Sequence, residues 1–209
     1  MKKIVVLMFA VLCFAPAAFA DNWGYGYKLG VGENRPSDLK DLHNYFSGFP
    51  SSDTKLETSG AFFAAETFYE WSLSNEVHKI GAKVDFDYFV ENKTESQTTL
   101  YQECTETTYA IPLTIYYKRD NGVKAFAWFG GAGATIMYTE MQYKGYNKNI
   151  KTKSKIIPHI VVGGEYRFSQ LFALGLEARY NFDAKVKKSG ILLSDRSGFG
   201  GAVTLRFYL

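Results

Sequence analysis

The sequence predicts an all-β chain: an eight-stranded antiparallel up-and-down transmembrane β-barrel with four long external loops and three short periplasmic turns. Three observations lead there. Residues 203–209 place Val203, Leu205, Phe207 and Leu209 on one side of an extended strand and Thr204, Arg206 and Tyr208 on the other, and this two-faced pattern recurs about seven more times upstream. The stretches between the patterned segments alternate strictly between short and long, the layout of a membrane barrel with short turns on one side and long loops on the other. A secretory leader opens the chain: Lys2 and Lys3, an apolar run from Ile4 to Phe14, and the small-residue cleavage signal Ala18-Phe19-Ala20. Residues 1–20 are therefore read as a signal peptide and residues 21–209 as the barrel domain. Leu12 precedes Cys13 where a lipoprotein signal carries a small residue, so no lipid anchor is expected.

The strands follow in order. The first, near Trp23 to Gly32, alternates Trp23, Tyr25, Tyr27, Leu29 and Val31 with glycines and Lys28. The second, 61–73, sets Phe63, Ala65, Thr67, Tyr69, Trp71 and Leu73 against Ala64, Glu66, Glu70 and Ser72; Ser74-Asn75-Glu76 then turns the chain. The third, 77–89, sets Ile80, Ala82, Val84, Phe86 and Tyr88 against Lys79, Lys83, Asp85 and Asp87 without a break in period. The fourth, 109–117, carries Pro112, which removes one ladder donor and is anomalous for an inner strand. Arg119-Asp120-Asn121-Gly122 holds the Asn-Gly pair favoured in tight hairpins. The fifth, 123–138, sets Phe126, Trp128 and Ile136 against Ala127, Gly131, Gly133 and Thr135. The sixth, 157–168, sets Ile160, Val162, Tyr166 and Phe168 against His159, Gly163, Glu165 and Arg167. The seventh, 172–182, sets Leu174, Leu176, Ala178, Tyr180 and Phe182 against Gly175, Glu177, Arg179 and Asn181. The eighth runs from Gly198 to Leu209. Long connections are expected at 33–60, 90–108, 139–155 and 183–197.

Alternation alone leaves open which class faces inward, since a soluble eight-stranded barrel also alternates. Volume decides. The apolar class is bulky, and an eight-stranded barrel has room only for its own side chains. Outward, each large side chain gains about 1.5–3 kcal/mol on burial in lipid. Tyr25, Tyr69, Trp71, Tyr117, Tyr166 and Phe207 lie near strand ends, where interfacial aromatic girdles belong. The inner face then carries Lys28, Glu66, Lys83, Asp85, Glu165, Arg167, Glu177, Arg179 and Arg206, which must pair to offset desolvation. Ion pairs are expected around Glu66, Lys83, Glu177 and Arg179 at mid-depth.

With Trp23–Gly32, Ile111-Pro-Leu-Thr-Ile-Tyr-Tyr117, Phe129-Gly-Gly-Ala-Gly133 and the closing strand, the chain resembles the small bacterial outer-membrane β-barrel family that includes the OmpA barrel, OmpX and Ail. Family barrels usually end in Phe, whereas this chain ends in Leu209 with Phe207 two residues before it. The resemblance implies a bacterial outer-membrane protein, exported through the Sec pathway and inserted by the barrel-assembly machinery. It further implies contact with outer-membrane lipid, including lipopolysaccharide, and a role in adhesion, host-defence shielding or envelope support.

Other chemistry is sparse. A net charge of +3, two units of it in the leader, gives no nucleic-acid footprint. The glycine-dense first strand lacks the helix and Lys-Ser/Thr of a phosphate loop. His43, His78 and His159 share no metal-ligand spacing, no cofactor is implied, and no catalytic triad motif accompanies His159. Cys104, flanked by Glu103 and Glu106, is read as a loop thiol without a task. The first long loop contains Leu39, Leu42, Tyr45, Phe46 and Phe49; the second is acidic; the third carries Lys144, Lys148, Lys151, Lys153 and Lys155. Those lysines are candidates for lipopolysaccharide phosphates or acidic host glycans. The expectation is a non-enzymatic, monomeric membrane barrel that presents its loops. A narrow channel or transporter of small hydrophobic solutes is the alternative, and an envelope lipid or peptide hydrolase the third reading.

Overall fold

In the computed structural model, residues 22–33, 59–73, 76–97, 100–143, 148–151, 154–188 and 191–209 are described. The signal-peptide reading of 1–20, the first loop's apolar residues and His43 lie outside them. The chain forms β1 (Asn22–Glu33), β2 (Ser59–Ser72), β3 (His78–Gln97), β4 (Leu100–Arg119), β5 (Phe126–Tyr143), β6 (Lys148–Lys151), β7 (Lys155–Arg167), β8 (Phe172–Asn181), β9 (Lys185–Lys188), β10 (Ile191–Asp195) and β11 (Gly198–Tyr208). The strands pair antiparallel in the order β4-β3-β2-β1-β11-β8-β7-β5, and a β4–β5 ladder closes the ring of eight. First and last strands meet along Gly24↔Tyr208 to Gly32↔Gly200, and the Leu209 amide donates to the Trp23 carbonyl at 2.8 Å.

The outward class is the apolar one. Leu29, Ile115, Val162 and Val203 are exposed, and Leu176 keeps 67 % of its surface. At the short-turn end the outer aromatics form a chain: Tyr25 stacks on Phe207 at 5.2 Å, Phe207 meets Phe172 at 5.9 Å, and Phe168 meets Tyr166 at 4.9 Å. A second aromatic band lies toward the loops, with Tyr180 packed on Phe182 and Phe199 at 4.8 Å each and Tyr88 against Tyr109 at 5.3 Å. Tyr69 departs from the expected girdle. It is 3 % exposed, with the bulky Trp23 and the small Ala82 as cross-strand neighbours sheltering it.

The interior is less purely polar than the volume argument expects. Phe62, Phe68, Phe89, Tyr116, Phe129 and Tyr208 are buried inside it. They fit because large and small residues alternate around the ladder. Phe68 lies across from Gly24, and Phe62 from Gly30. Tyr116 is flanked by Gly81 and Gly131, and Arg206 by Gly26 and Ala173. A Cβ added to Gly81 would lie 2.6 Å from Tyr116 Oη, which leaves that position no room for a side chain.

Four connections differ from the sequence reading. The ladder β3–β4 runs on through Gln97↔Leu100, so most of the expected second loop is hairpin. Its residues, rich in Thr, Glu and Gln, lack an apolar period, while backbone pairing and β-branched threonines sustain the strands. The third connection carries β6 paired to β5, and the fourth folds into the β9–β10 hairpin. The turn after β4 is wider than a two-residue Asn-Gly hairpin, and β5 starts at Phe126. There Asp120 Oδ1 accepts the Gly122 amide at 3.0 Å, while Gly122 and Lys124 adopt φ of 93° and 57°, an Asx-stabilised turn. Pro112 is accommodated by a break: the β3–β4 register is continuous, yet no pairing joins Asp85 and Phe86 to Pro112 and Ile111.

Candidate functional site

The inward charges gather in stacked layers. At mid-depth Lys28 Nζ donates to Asp85 Oδ1 at 2.8 Å and to Glu177 at 3.0 Å, and lies 2.9 Å from Glu66 Oε2. Lys83 bonds Glu177 closely and lies 4.0 Å from Glu66. Arg206 bridges two strands' carboxylates: Nε to Glu66 Oε1 at 2.6 Å, Nη2 to Glu66 Oε2 at 3.2 Å, and Nη1 to Glu165 Oε2 at 2.8 Å. Its guanidinium also lies over the Phe129 and Phe68 rings at 4.8 and 5.3 Å, favourable for a desolvated cation. Arg179 turns to Asp87, which it bonds closely, and lies 3.8 Å from Asp85. Of the residues singled out in the sequence, Lys28, Glu66, Lys83, Asp85, Glu165, Glu177, Arg179 and Arg206 thus form one connected cluster, all buried.

Arg167 sits one layer nearer the turns, with partners the sequence reading had not placed in the network. Its Nη1 donates to Asp120 Oδ2 at 2.9 Å, and Lys79 Nζ donates to the same oxygen at 2.8 Å. Lys118 joins Glu70 at 2.9 Å, Glu165 at 2.6 Å and the Tyr208 hydroxyl at 2.7 Å. Tyr116 donates to Glu70 at 3.0 Å, and Tyr208 donates closely to Glu165. Glu70 and Lys79 carried the inward parity and were legible in principle, and Lys118 continues the parity of Thr114 and Tyr116 in β4; Asp120 stands past the strand end, and only the fold turns it toward the axis. At the turn end, burial works to raise the Asp120 pKa, but the Lys118 charge, the Lys79 hydrogen bond and the Gly122 amide outweigh it and hold the carboxyl at about 2.

On the loop side a third layer joins residues read as loop. Arg196 Nη2 donates to Glu106 Oε1 at 3.2 Å, and Thr108 bonds Glu106 at 3.3 Å and Thr139 at 3.1 Å. His159 is buried, with Thr114 on Nε2 and Thr135 on Nδ1, both at 2.9 Å. Both ring nitrogens are committed to threonine hydroxyls within the wall, a structural arrangement. His78 bonds the Tyr117 hydroxyl. Among the described residues no three His, Cys, Asp or Glu side chains converge to hold a metal ion.

The basic loop is only partly brought together. Lys151 pairs with Glu140 at 3.5 Å across β5–β6. Lys155 donates to the Asp183 carbonyl at 2.7 Å and the Lys185 carbonyl at 3.0 Å, tying the third connection to the fourth. Lys148 lies on β6; Lys144 and Lys153 lie outside the described residues. Cys104 lies within β4, not in a loop.

The sequence profile of the outer membrane protein beta-barrel domain matches residues 4–207. No curated protein matches the chain in sequence. Among solved structures, OprG from Pseudomonas aeruginosa superposes with a TM-score of 0.59 at 13 % identity, covering 91 % of this chain and 96 % of OprG. Neisserial surface protein A gives 0.55 at 12 % identity, covering 90 % and 96 %. Ail of Yersinia pestis, in complex with the heparin analogue sucrose octasulfate, gives 0.52 at 12 % identity, covering 90 % and 97 %. At these identities the likeness is one of fold.

Proposed function

The chain belongs to the outer membrane protein beta-barrel domain family, and from that premise we propose that it is a non-enzymatic surface barrel whose projecting hairpins bind anionic saccharide. The observation that carries this reading is the ionic plug at mid-depth, which stands between a turn-side hollow of about 700 Å³, lined by Lys79, Asp120 and Arg167, and the loop side. Lys28, Lys83, Arg206 and their carboxylates occupy the barrel axis at mid-depth. The cavity on the loop side of that layer measures about 30 Å³, room for a water molecule or two. A barrel so occupied works through what it displays, and the β3–β4, β5–β6 and β9–β10 hairpins are its largest display. Exposed Lys151, Lys185 and Lys187 stand at the loop end, and Ail, similar in fold, carries a sulfated sugar in its complex; both support a phosphate- or sulfate-bearing glycan as the ligand class. Adhesion and shielding are uses of that binding.

The test is retention on immobilised heparin and on lipopolysaccharide vesicles after Lys144, Lys148, Lys151, Lys153 and Lys155 are changed to Gln together. Binding weakens at least tenfold, and the loss grows as salt is lowered. Unchanged retention, or a stable single-channel conductance in planar bilayers, counts against the reading.

A further inference from the structure

The loop-side half of the barrel interior is built unlike the rest. Where the middle and the turn end are ionic, here Phe62, Phe89, Ala110, Met137 and Ile157 form an apolar lining. A hairpin roofs it. Ala184 and Val186 at the start of the β9–β10 unit are buried on that lining. Arg196 at its far end lays its guanidinium 4.4 Å from the Phe89 ring centre while bonding Glu106. The hairpin's base is closed on itself, the Ala184 amide donating to Ser197 Oγ at 2.8 Å and the Arg196 amide to the Ala184 carbonyl at 3.1 Å. It is one unit; among the described residues an apolar seat, the Arg196–Glu106 pair and the Lys155 bonds to the Asp183 and Lys185 carbonyls join it to the barrel.

Two features of the chamber call for an occupant. Asp87 and Asn181 line it, and their Oδ1 atoms receive no hydrogen bond from the described residues, although Asp87 is only 1 % exposed. A buried acceptor without a donor costs about 1–3 kcal/mol. One wall is glycine, and packing does not demand it. A Cβ on Gly32 would meet nothing nearer than Phe89 at 3.7 Å, and one on Gly200 nothing nearer than 3.4 Å, whereas at Gly24 and Gly30 it would strike the Phe68 and Phe62 rings at 2.7 and 2.6 Å. The glycines at 32 and 200 keep space open.

We propose that this chamber is a binding site for a small neutral amphipathic molecule, with a hydroxyl or N–H head and an apolar body, and that the β9–β10 hairpin is the lid that must lift to admit it. The head donates because the unsatisfied wall atoms are acceptors. It is neutral because Arg179 and Lys28 at the floor are already matched by Asp87 and Glu177. The body is apolar because the Phe62, Phe89, Met137 and Ile157 walls would be dewetted by it. With the lid shut the space admits water alone, so the apparent affinity is the intrinsic one reduced by the open fraction.

The full barrel, refolded in lipid nanodiscs, is titrated with 1-naphthol by fluorescence, with empty nanodiscs subtracted. Saturable binding is expected, about fivefold weaker for naphthalene, which has no donor. Arg196→Ala unlatches the lid and tightens binding several-fold; Glu106→Gln does the same by the other half of the latch. Gly200→Leu fills the chamber and weakens binding at least tenfold, and Gly32→Val repeats this from the adjacent paired strand; unheated-gel mobility verifies that each variant is folded. The proposal is overturned if neither the natural chain nor the latch variants bind saturably, if the filled variants bind as the natural chain does, or if naphthalene binds as tightly as naphthol.

Discussion

Arg206 offers the sharpest test of how the interior is held together. Arg206→Met keeps the side chain's length and its seat over Phe68 and Phe129, while removing three charge-assisted hydrogen bonds to Glu66 and Glu165. Removing one partner of a buried pair costs about 3–5 kcal/mol, because the other charge is left without its counterion. Here the orphans are not alone. Glu66 retains Lys28 at 2.9 Å, and Glu165 retains Lys118 at 2.6 Å, which places the loss at the lower end, about 3 kcal/mol. Glu66→Gln alone disturbs Lys28 and Arg206 together and costs a similar amount. In the double variant each change relieves the other, so the total is about 3–4 kcal/mol, not about 6, and the coupling about 2–3 kcal/mol. Urea titration in lipid vesicles measures it, followed by unheated-gel mobility and by the fluorescence of Trp23, Trp71 and Trp128. If the two costs simply add to within about 0.5 kcal/mol, the network is a set of independent contacts and the reasoning fails.

Three further outcomes follow from the geometry. Leu176→Arg places a charge on the lipid face and destabilises the barrel by about 2–4 kcal/mol if it lies at the midplane; spin labels at Leu176 and Val203 report lipid contact, and labels at Glu177 and Thr204 do not. Gly81→Val collides with Tyr116 and blocks folding, read as loss of the fast-migrating gel form, while adding Tyr116→Ala restores part of it. Asp120, held at about 2 against an ordinary 3.8, contributes its stability fully above about pH 4 and loses it as pH falls toward 2, a change of about 2 kcal/mol. Asp120→Asn removes that acid-dependent step from urea unfolding curves recorded between pH 5 and 2, and an unchanged step would show that Asp120 is not its source.

The strands and the two faces were legible because lipid and barrel axis are such different environments that parity alone sorts Leu176 from Glu177 and Val203 from Thr204. Two things were not. Inward aromatics such as Phe68, Phe129 and Tyr116 depend on a glycine directly across on the neighbouring strand, a relation that no local window contains. Residues 90–108 carried no apolar period, since even the inward positions Glu106 and Thr108 are polar, so a continuing ladder reads as a loop. The ionic residues themselves were visible from strand parity, but who pairs with whom was not: Arg179 engages Asp87, and Lys28 is the hub that joins Glu66, Asp85 and Glu177. Lys118, Asp120, Glu106 and Arg196 stood in stretches read as turn or loop; Glu106 and Lys118 follow the inward parity of β4, while only tertiary closure carries Asp120 and Arg196 to the axis.

The strands differ greatly in length, with β3 and β4 at 20 residues against 10 in β8 and 11 in β11. At about 3.3 Å per residue and a tilt of about 45°, the longer pair climbs roughly 47 Å where the shorter climbs roughly 23 Å, against an apolar band of about 25 Å. The rim is therefore a palisade on one flank and a low sill on the other. A bulky visitor approaching from above strikes the tall flank first, and reaches the roof over β8 only across the sill.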